Sequence, residues 1–343
     1  MPQNLTLEDI ARITGVSRST VSRVVNDHPN VSEDVRKRVM EAIRETGYQP
    51  NAAARALASQ RANTIGLILP HSVGFLFTDP FYPLFTTGIA QMCNQTDYTL
   101  ALFLVGSQKD EDKVFERVSR GGLVDGVIVQ AGHHGGQAII HKLVKAGIPT
   151  IVVGRPFEAL DVHYVDVDNL SSAYTAVTHL IRLGRRRIAT ITGPVTSTVG
   201  IDRRQGYLNA FTDRELQTDE ALIAEGDFTE NGGYYAMQQL LSARPDAVFA
   251  ASDAMAIGAM RAAKEAGLDI PRDIAFVGFD DLPAAAKAQV PLTTIRQPVY
   301  DFGQKTVELL IDLINNDPKS PCCTLLDAQL IIRDSCGAKL ASA

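Results

Sequence analysis

The 343-residue sequence predicts an α/β protein in which a small helical head is joined by a short connector to a two-lobed body of doubly wound parallel sheets. Three observations predict it. Residues 5–47 place apolar side chains at spacings of three and four, the helical period. From Thr64 onward the pattern becomes short apolar runs separated by helix-length amphipathic segments, as parallel strands covered on both faces require. Residues 63–343 are also too many for one such sheet, so two lobes are expected, dividing near Asp166 to Asn169.

The head reads as three helices. Thr6 with Asp9 has the form of a capping box, Leu7, Ile10, Ala11 and Ile13 supply an apolar face, and Gly15 stops the first helix. Ser17 can cap a second helix that turns Val21, Val24 and Val25 inward. Ser32 starts a third, in which Val35, Val39 and Ile43 recur every four residues until Gly47. Pro50 then disfavours helix at Gln49. The following Ala52 to Ser59 has high helix propensity but a single large apolar side chain, Leu57, and is too short to be a stable helix alone. It reads as a conditional linker.

In the body the expected strands are Ile65 to Leu69, Leu100 to Leu104, Val127 to Val129, Thr150 to Val153, Ile188 to Ile191, Val248 to Ala251 and Ile274 to Val277. Helices are expected near 84–96, 110–120, 136–146, 170–183, 203–212, 231–242, 254–266 and 301–315. The expected division is 1–49 for the head and 50–62 for the connector. One lobe takes 63–167 plus 298–327, the other 168–297 plus 328–343.

Composition narrows the function. No apolar run approaches the roughly 20 residues of a membrane span, and the N-terminus lacks a basic stretch followed by an apolar one, so a cytoplasmic location is expected. Cys93, Cys322, Cys323 and Cys336 fit no metal-ligand spacing and are expected to be reduced, with no metal or cofactor. The sequence has no GxxxxGK[ST], no GxGxxG after the first strand, no GxSxG and no HExxH, which argues against an enzyme. Gly132-His133-His134-Gly135-Gly136 reads as a glycine-rich turn with surface histidines. Residues 1–62 carry net +2 and the remainder net -8, a balance suited to a polyanion met by the head alone.

Leu7 to Asp27 meets the physical specification of a helix-turn-helix, whose second helix presents its first side chains to base edges in the major groove. Arg18 and Ser19 occupy those positions. Thr20, Ser22 and Asn26 suit phosphate oxygens, and Arg23 suits either role. The same pattern also fits a dimerising helical hairpin with solvated arginines. Leu57 could wedge into the minor groove beside its symmetry mate, or pack against the body.

The chain resembles the lactose and galactose repressor family of bacterial transcription regulators. The resemblance rests on the segment LEDIARITGVSRSTVSRVVNDHPNVSEDVRKRVMEAIRETGYQPNAAARALAS. It continues through IGLILP, DGVIVQ, VDVDN, HLIRLGRRRIATITGP, DRRQGYLNAF, ASDAMAIGAM and IAFVGFDD followed by PLTTIRQP. It implies a homodimer whose two heads and hinge helices hold a pseudo-palindromic double-stranded operator, with a body like periplasmic sugar-binding proteins. It implies that Arg18, Ser19 and Arg23 are recognition positions and Leu57 the minor-groove leucine; the full candidate DNA-contacting set is Thr6, Ser17, Arg18, Ser19, Thr20, Ser22, Arg23 and Asn26, with Asn51, Ala54 and Leu57 from the hinge.

For the body the resemblance implies an effector held by Arg203, Asp280, Phe228 and Ser252. Gly154 stands where some members carry a ligand-binding Asp, and Arg155 is the candidate to compensate. The residues agree with this independently. Asp280 follows an apolar strand, and parallel sheets bind ligands beyond the carboxyl ends of their strands. A forked Arg with an Asp can grip adjacent hydroxyls, while Phe228 and Phe81 or Tyr82 offer flat apolar faces. A neutral sugar is the first expectation. A purine-type corepressor and a sugar-binding protein without DNA function are the alternatives; Asp280 or Asp281 also has an ordinary role as a loop or helix cap, and Arg203 as an ion-pair partner. Effector and operator would be coupled through the lobe angle by about 1 to 3 kcal/mol.

Overall fold

The computed structural model describes residues 5–25, 28–48, 61–70, 76, 78–120, 122–130, 136–316 and 320–338, and the chain forms two compact units, Met1–Ala62 and Asn63–Ala343.

In the first unit α1 spans Leu7–Thr14, α2 Arg18–Val25 and α3 Glu33–Thr46. The capping box is complete: Thr6 Oγ1 accepts from the Asp9 amide at 3.3 Å, and the Thr6 amide donates to Asp9 Oδ2 at 2.9 Å. Gly15 takes φ 68°, which lets α1 stop and the chain turn into α2. Ser17 Oγ then accepts from the Thr20 amide at 3.1 Å and caps α2. Ile10, Val21, Val24, Val39 and Tyr48 close the core. Fully burying one such aliphatic side chain stabilises the head by about 1.5–3 kcal/mol. Ile13 departs from expectation and is 56% exposed. At about 100° per residue it sits a quarter-turn from the stripe centred on Leu7, Ile10, Ala11 and Thr14. The stripe is completed by Thr14, whose buried hydroxyl donates to the Ile10 carbonyl at 2.7 Å.

The body contains two six-stranded sheets. The first is built from β1 (Thr64–Leu69), β2 (Thr99–Leu104), β3 (Gly126–Gln130), β4 (Thr150–Val153), β5 (His163–Val167) and β11 (Cys323–Leu326), in the order β11-β5-β4-β3-β1-β2. The second holds β6 (Ile188–Thr192), β7 (Ile223–Glu225), β8 (Ala247–Ala250), β9 (Ala275–Asp280), β10 (Thr293–Arg296) and β12 (Gln329–Ile331), in the order β12-β10-β9-β8-β6-β7. All neighbouring pairs are parallel except β10 with β12. The register sets Ile65 opposite Leu100 and Gly126, and Val277 opposite Phe249 and Thr293.

Helices cover both faces of each sheet, as the continuous apolar strands require. On the first sheet α4 (Phe81–Gln95) and α12 (Val299–Asn316) close one face, and α5 (Gln108–Arg120) and α6 (Gln137–Lys145) the other. On the second sheet α7 (Asn169–Arg182) and α8 (Thr198–Thr212) close one face. There α9 (Glu230–Leu240) and α10 (Asp253–Glu265) close the other, followed by the short α11 (Pro283–Lys287). The chain passes between the sheets three times, at Asp168, at Gln297–Pro298 and at Asp327–Ala328. These adjacent crossings make a hinge, and a cleft opens between the lobes beside it. No helix of the described residues is long and apolar enough to cross a membrane.

Candidate functional site

On the head, Val21 and Val24 face the core and fix the roll of α2, so Arg18, Ser19 and Arg23 are exposed on its outer side. Three hydroxyls meet at its start: Ser17 Oγ lies 2.8 Å from both Ser19 Oγ and Thr20 Oγ1. This cluster pre-orients groups that suit phosphate oxygens. Arg18 Nε lies 2.7 Å from Glu8 Oε1, a solvated ion pair that an incoming base or phosphate can displace. Thr6 is exposed at the start of α1 with its hydroxyl in the capping box, and Ser22 is half-buried on α2. Asn26, Asn51, Ala54 and Leu57 lie outside the described residues.

The cleft between the lobes encloses an empty space of about 690 Å³, its mouth included, and is lined from both sides. Its polar groups come from strand ends. Gln130 ends β3, Gly154 follows β4, Ser252 follows β8 and Asp280 ends β9. Doubly wound sheets use this edge for ligands, because loops there are free of packing duty.

Arg203 is the one cation lining the cleft among the described residues, and it is only 4% exposed. Nε donates to Asn169 Oδ1 at 2.9 Å, Nη1 donates to the Ala251 carbonyl at 2.6 Å and lies 3.6 Å from Asp280 Oδ1, and Cζ stacks 3.5 Å from the Phe279 ring centroid. Nη2 takes none of these bonds. Asn169 is itself held by Nδ2 donating to Asp166 Oδ1 and the Val167 carbonyl, each at 3.0 Å.

Asp280 sits at φ 122° and Asp281 at φ 58°, backbone settings that side chains other than glycine adopt only when held. The holding groups are clear. Arg296 Nε and Arg333 Nη2 grip the Asp281 carboxylate at 2.6 and 2.5 Å, and the Leu282 amide donates to Asp253 Oδ2 at 2.9 Å. Gln297, at the second crossing, donates its side-chain amide to Asp280 Oδ1. Phe228 also has positive φ, 65°, and its ring is packed so close to Gly193 that a Cβ there would lie 2.2 Å from Cζ. Across the cleft Phe81 stacks on Phe85 with centroids 5.6 Å apart, while Tyr82 Oη and the Gln130 amide bond at 2.7 Å.

The electrostatics are acidic. Asp79, Asp166, Asp253 and Asp280 surround one guanidinium. Burial pushes Asp79 and Asp166 up to about 6, Asp280 up to about 7 and Asp253 well above the usual carboxylate range, against the downward pull of Arg203 or of amide donors. Burial pulls Arg203 down, opposed first by Asp280. The three carboxyl groups that line the cleft, Asp79, Asp166 and Asp280, with one guanidinium favour a ligand rich in hydroxyl donors and disfavour an anion.

Of the residues singled out from sequence, Phe81, Arg203, Phe228, Ser252 and Asp280 line this one cleft. Ser252 also caps α10, its hydroxyl accepting from the Met255 amide at 3.2 Å. Arg155 does not line the cleft, although its neighbour Gly154 does; its guanidinium forms a two-point ion pair with Asp202. The sequence reading missed Asp79, Gln130, Asp166, Asn169 and Gln297. Gln130 was signalled by its place at the end of the apolar run in DGVIVQ; Asp79 carries no comparable signal.

A family model for bacterial regulatory proteins, lacI family, matches residues 6–51, and one for a periplasmic binding protein-like domain matches residues 177–336. The HTH-type transcriptional regulator CelR of Thermobifida fusca is 37% identical over 334 residues, 96% of this chain and 98% of its own. Among solved structures, a complex of the transcriptional regulator CelR with cellobiose superposes with a TM-score of 0.76 at 35% identity, covering 96% of this chain and 99% of that one. The lac repressor dimer bound to operator and the anti-inducer ONPF superposes with a TM-score of 0.84 at 27% identity, covering 97% and 99%.

Proposed function

The chain belongs to the lacI family of bacterial regulatory proteins and is a DNA-binding transcriptional regulator, and from that premise we propose that it is a repressor whose cleft takes a neutral sugar. The observation that carries this is the Arg203 cluster: a buried guanidinium in the cleft wall fixed by Asn169, the Ala251 carbonyl and Asp280, with Phe228 and Phe81 lining the same cleft. Arg203 would donate to a ring hydroxyl oxygen and Asp280 would accept from the neighbouring hydroxyl, while the aromatic rings cover the apolar face of the sugar. The cellobiose bound to CelR supports a β-linked glucose disaccharide as the first sugar to test. The chain acts as a homodimer, with Arg18, Ser19 and Arg23 reading bases, Thr6, Ser17, Thr20, Ser22 and Asn26 on the backbone, and Asn51, Ala54 and Leu57 at the minor groove. No catalytic step belongs to this reading.

Sugar in the cleft selects one lobe angle, and the lobe angle sets how the two connectors of the dimer meet the duplex. The ligand shifts DNA affinity only by its differential affinity for the two arrangements. Calorimetric titration with cellobiose, other neutral sugars, sugar phosphates and purines tests the proposal. Heat from a neutral sugar that disappears in Arg203→Ala is the expected outcome; tight binding of a phosphosugar with no response to neutral sugars would count against it.

A further inference from the structure

Arg155 follows β4 in the first lobe, and Asp202 lies on α8 in the second. Arg155 Nη2 donates to Asp202 Oδ1 at 2.7 Å and Nε to Oδ2 at 3.1 Å, the two-point geometry that a guanidinium and a carboxylate form best. The main chain of Arg155 is tied as well. Its amide donates to Asp166 Oδ2 at 2.8 Å, and its carbonyl accepts from Thr198 Oγ1 at 2.9 Å. Thr198 and Asp202 are four residues apart, so both project from one face of α8. One residue of the first lobe thus grips two successive turns of the helix that carries Arg203.

The side chains of Arg155 and Asp202 are 41% and 21% exposed, so the pair forms without the full desolvation cost of a buried ion pair, and breaking it leaves neither charge stranded. We propose that Arg155 and Asp202 are a positioning pair, a charged latch across the hinge that holds this lobe arrangement and so sets the operator affinity of the ligand-free protein. The inference rests on the coupling of lobe angle to DNA binding in the reading above. It requires no contact with the ligand: Gly154 and Arg203, the immediate chain neighbours of the pair, line the cleft, while the latch stands outside it.

The test uses the full chain without sugar. A duplex selected from random sequence by the unmodified protein serves as probe, read by fluorescence anisotropy for Arg155→Ala, Asp202→Asn, the double variant and the reciprocal exchange Arg155→Asp with Asp202→Arg. Each single variant should move the operator Kd in the same direction, by about threefold to tenfold, with Tm nearly unchanged. The double variant should move it no further, and the exchange should recover at least half of the shift. A general field effect would move the two single variants in opposite directions, since one removes a positive and the other a negative charge. Opposite shifts, additive shifts or no shift beyond twofold would each overturn the latch. Because no sugar is used, failure of every sugar to bind would sink the effector proposal and leave this result readable.

Discussion

Arg203→Ala removes the cleft cation from the middle of its acidic ring. The variant loses a charged donor to Asn169, one to the Ala251 carbonyl and the attraction to Asp280. Hydrogen bonds to charged groups contribute about 1.5–3 kcal/mol each and breaking a buried pair costs about 3–5 kcal/mol, so a simple sum would overshoot. Asp280 limits the loss. Burial already raises it to about 7, so without Arg203 it takes up a proton near neutrality at small cost. The net destabilisation at pH 7 should be about 2–4 kcal/mol, a fall of about 4–16 °C in Tm for a body of this size. Thermal unfolding reads that figure, and anisotropy on the selected duplex reads the rest. DNA binding should persist while the change produced by sugar vanishes. A variant that keeps the wild-type midpoint for the sugar response would refute the placement of the effector on Arg203.

The remaining predictions use the same geometry. Asp79, Asp166 and Asp280 all titrate higher folded than their ordinary value of 3.8, so the folded chain binds more protons than the unfolded one in that window; the ligand-free protein should lose stability as pH rises from about 4 through about 7, and a rising stability across that window in chemical denaturation would contradict the acidic cleft. Gly193→Ala should displace the Phe228 ring and weaken sugar binding by about tenfold with operator binding retained, since its Cβ would fall 2.2 Å from Cζ; calorimetry showing unchanged affinity would remove Phe228 from the site. Val21→Ala should destabilise the head by about 1–3 kcal/mol and weaken operator binding without altering sugar affinity, because the side chain is fully buried beneath the exposed face of α2; equal loss of both activities would deny the two units their independence.

Six of the seven strands read from the sequence are legible because each is buried on both faces, so IGLIL, GVIV and AVFA read as unbroken apolar runs; β2, at the sheet edge, is only half-buried and is legible because its run is apolar all the same. The strands it hides are the short or polar ones. β5 contains His163 and Asp166 because it leads into the hinge, and β7 and β12 have three residues each, too few to set a period. In the head, cap and turn chemistry at Thr6, Gly15 and Ser17 appears as read, while Ile13 shows how little an eight-residue helix constrains its outer apolar positions. In the cleft, Arg203, Phe228 and Asp280 stand out through chemistry and resemblance, but their supports do not. Asn169 and Gln297 matter only because two crossings bring them beside Arg203 and Asp280, a juxtaposition made by topology. The partner of Arg155 is hidden for a related reason: its neighbour Gly154 lines the cleft, yet Asp202, forty-seven positions away, pairs with the side chain.

The central claim is that a neutral sugar between the lobes changes how tightly the heads hold DNA. Its most direct measurement is the dissociation constant for the selected duplex with and without saturating cellobiose or whichever neutral sugar calorimetry detects. The account predicts a change of about 5- to 150-fold, matched by an equal change in sugar affinity when DNA is present, since linkage is reciprocal. Sugar bound in the cleft with an unaltered dissociation constant for DNA would contradict it.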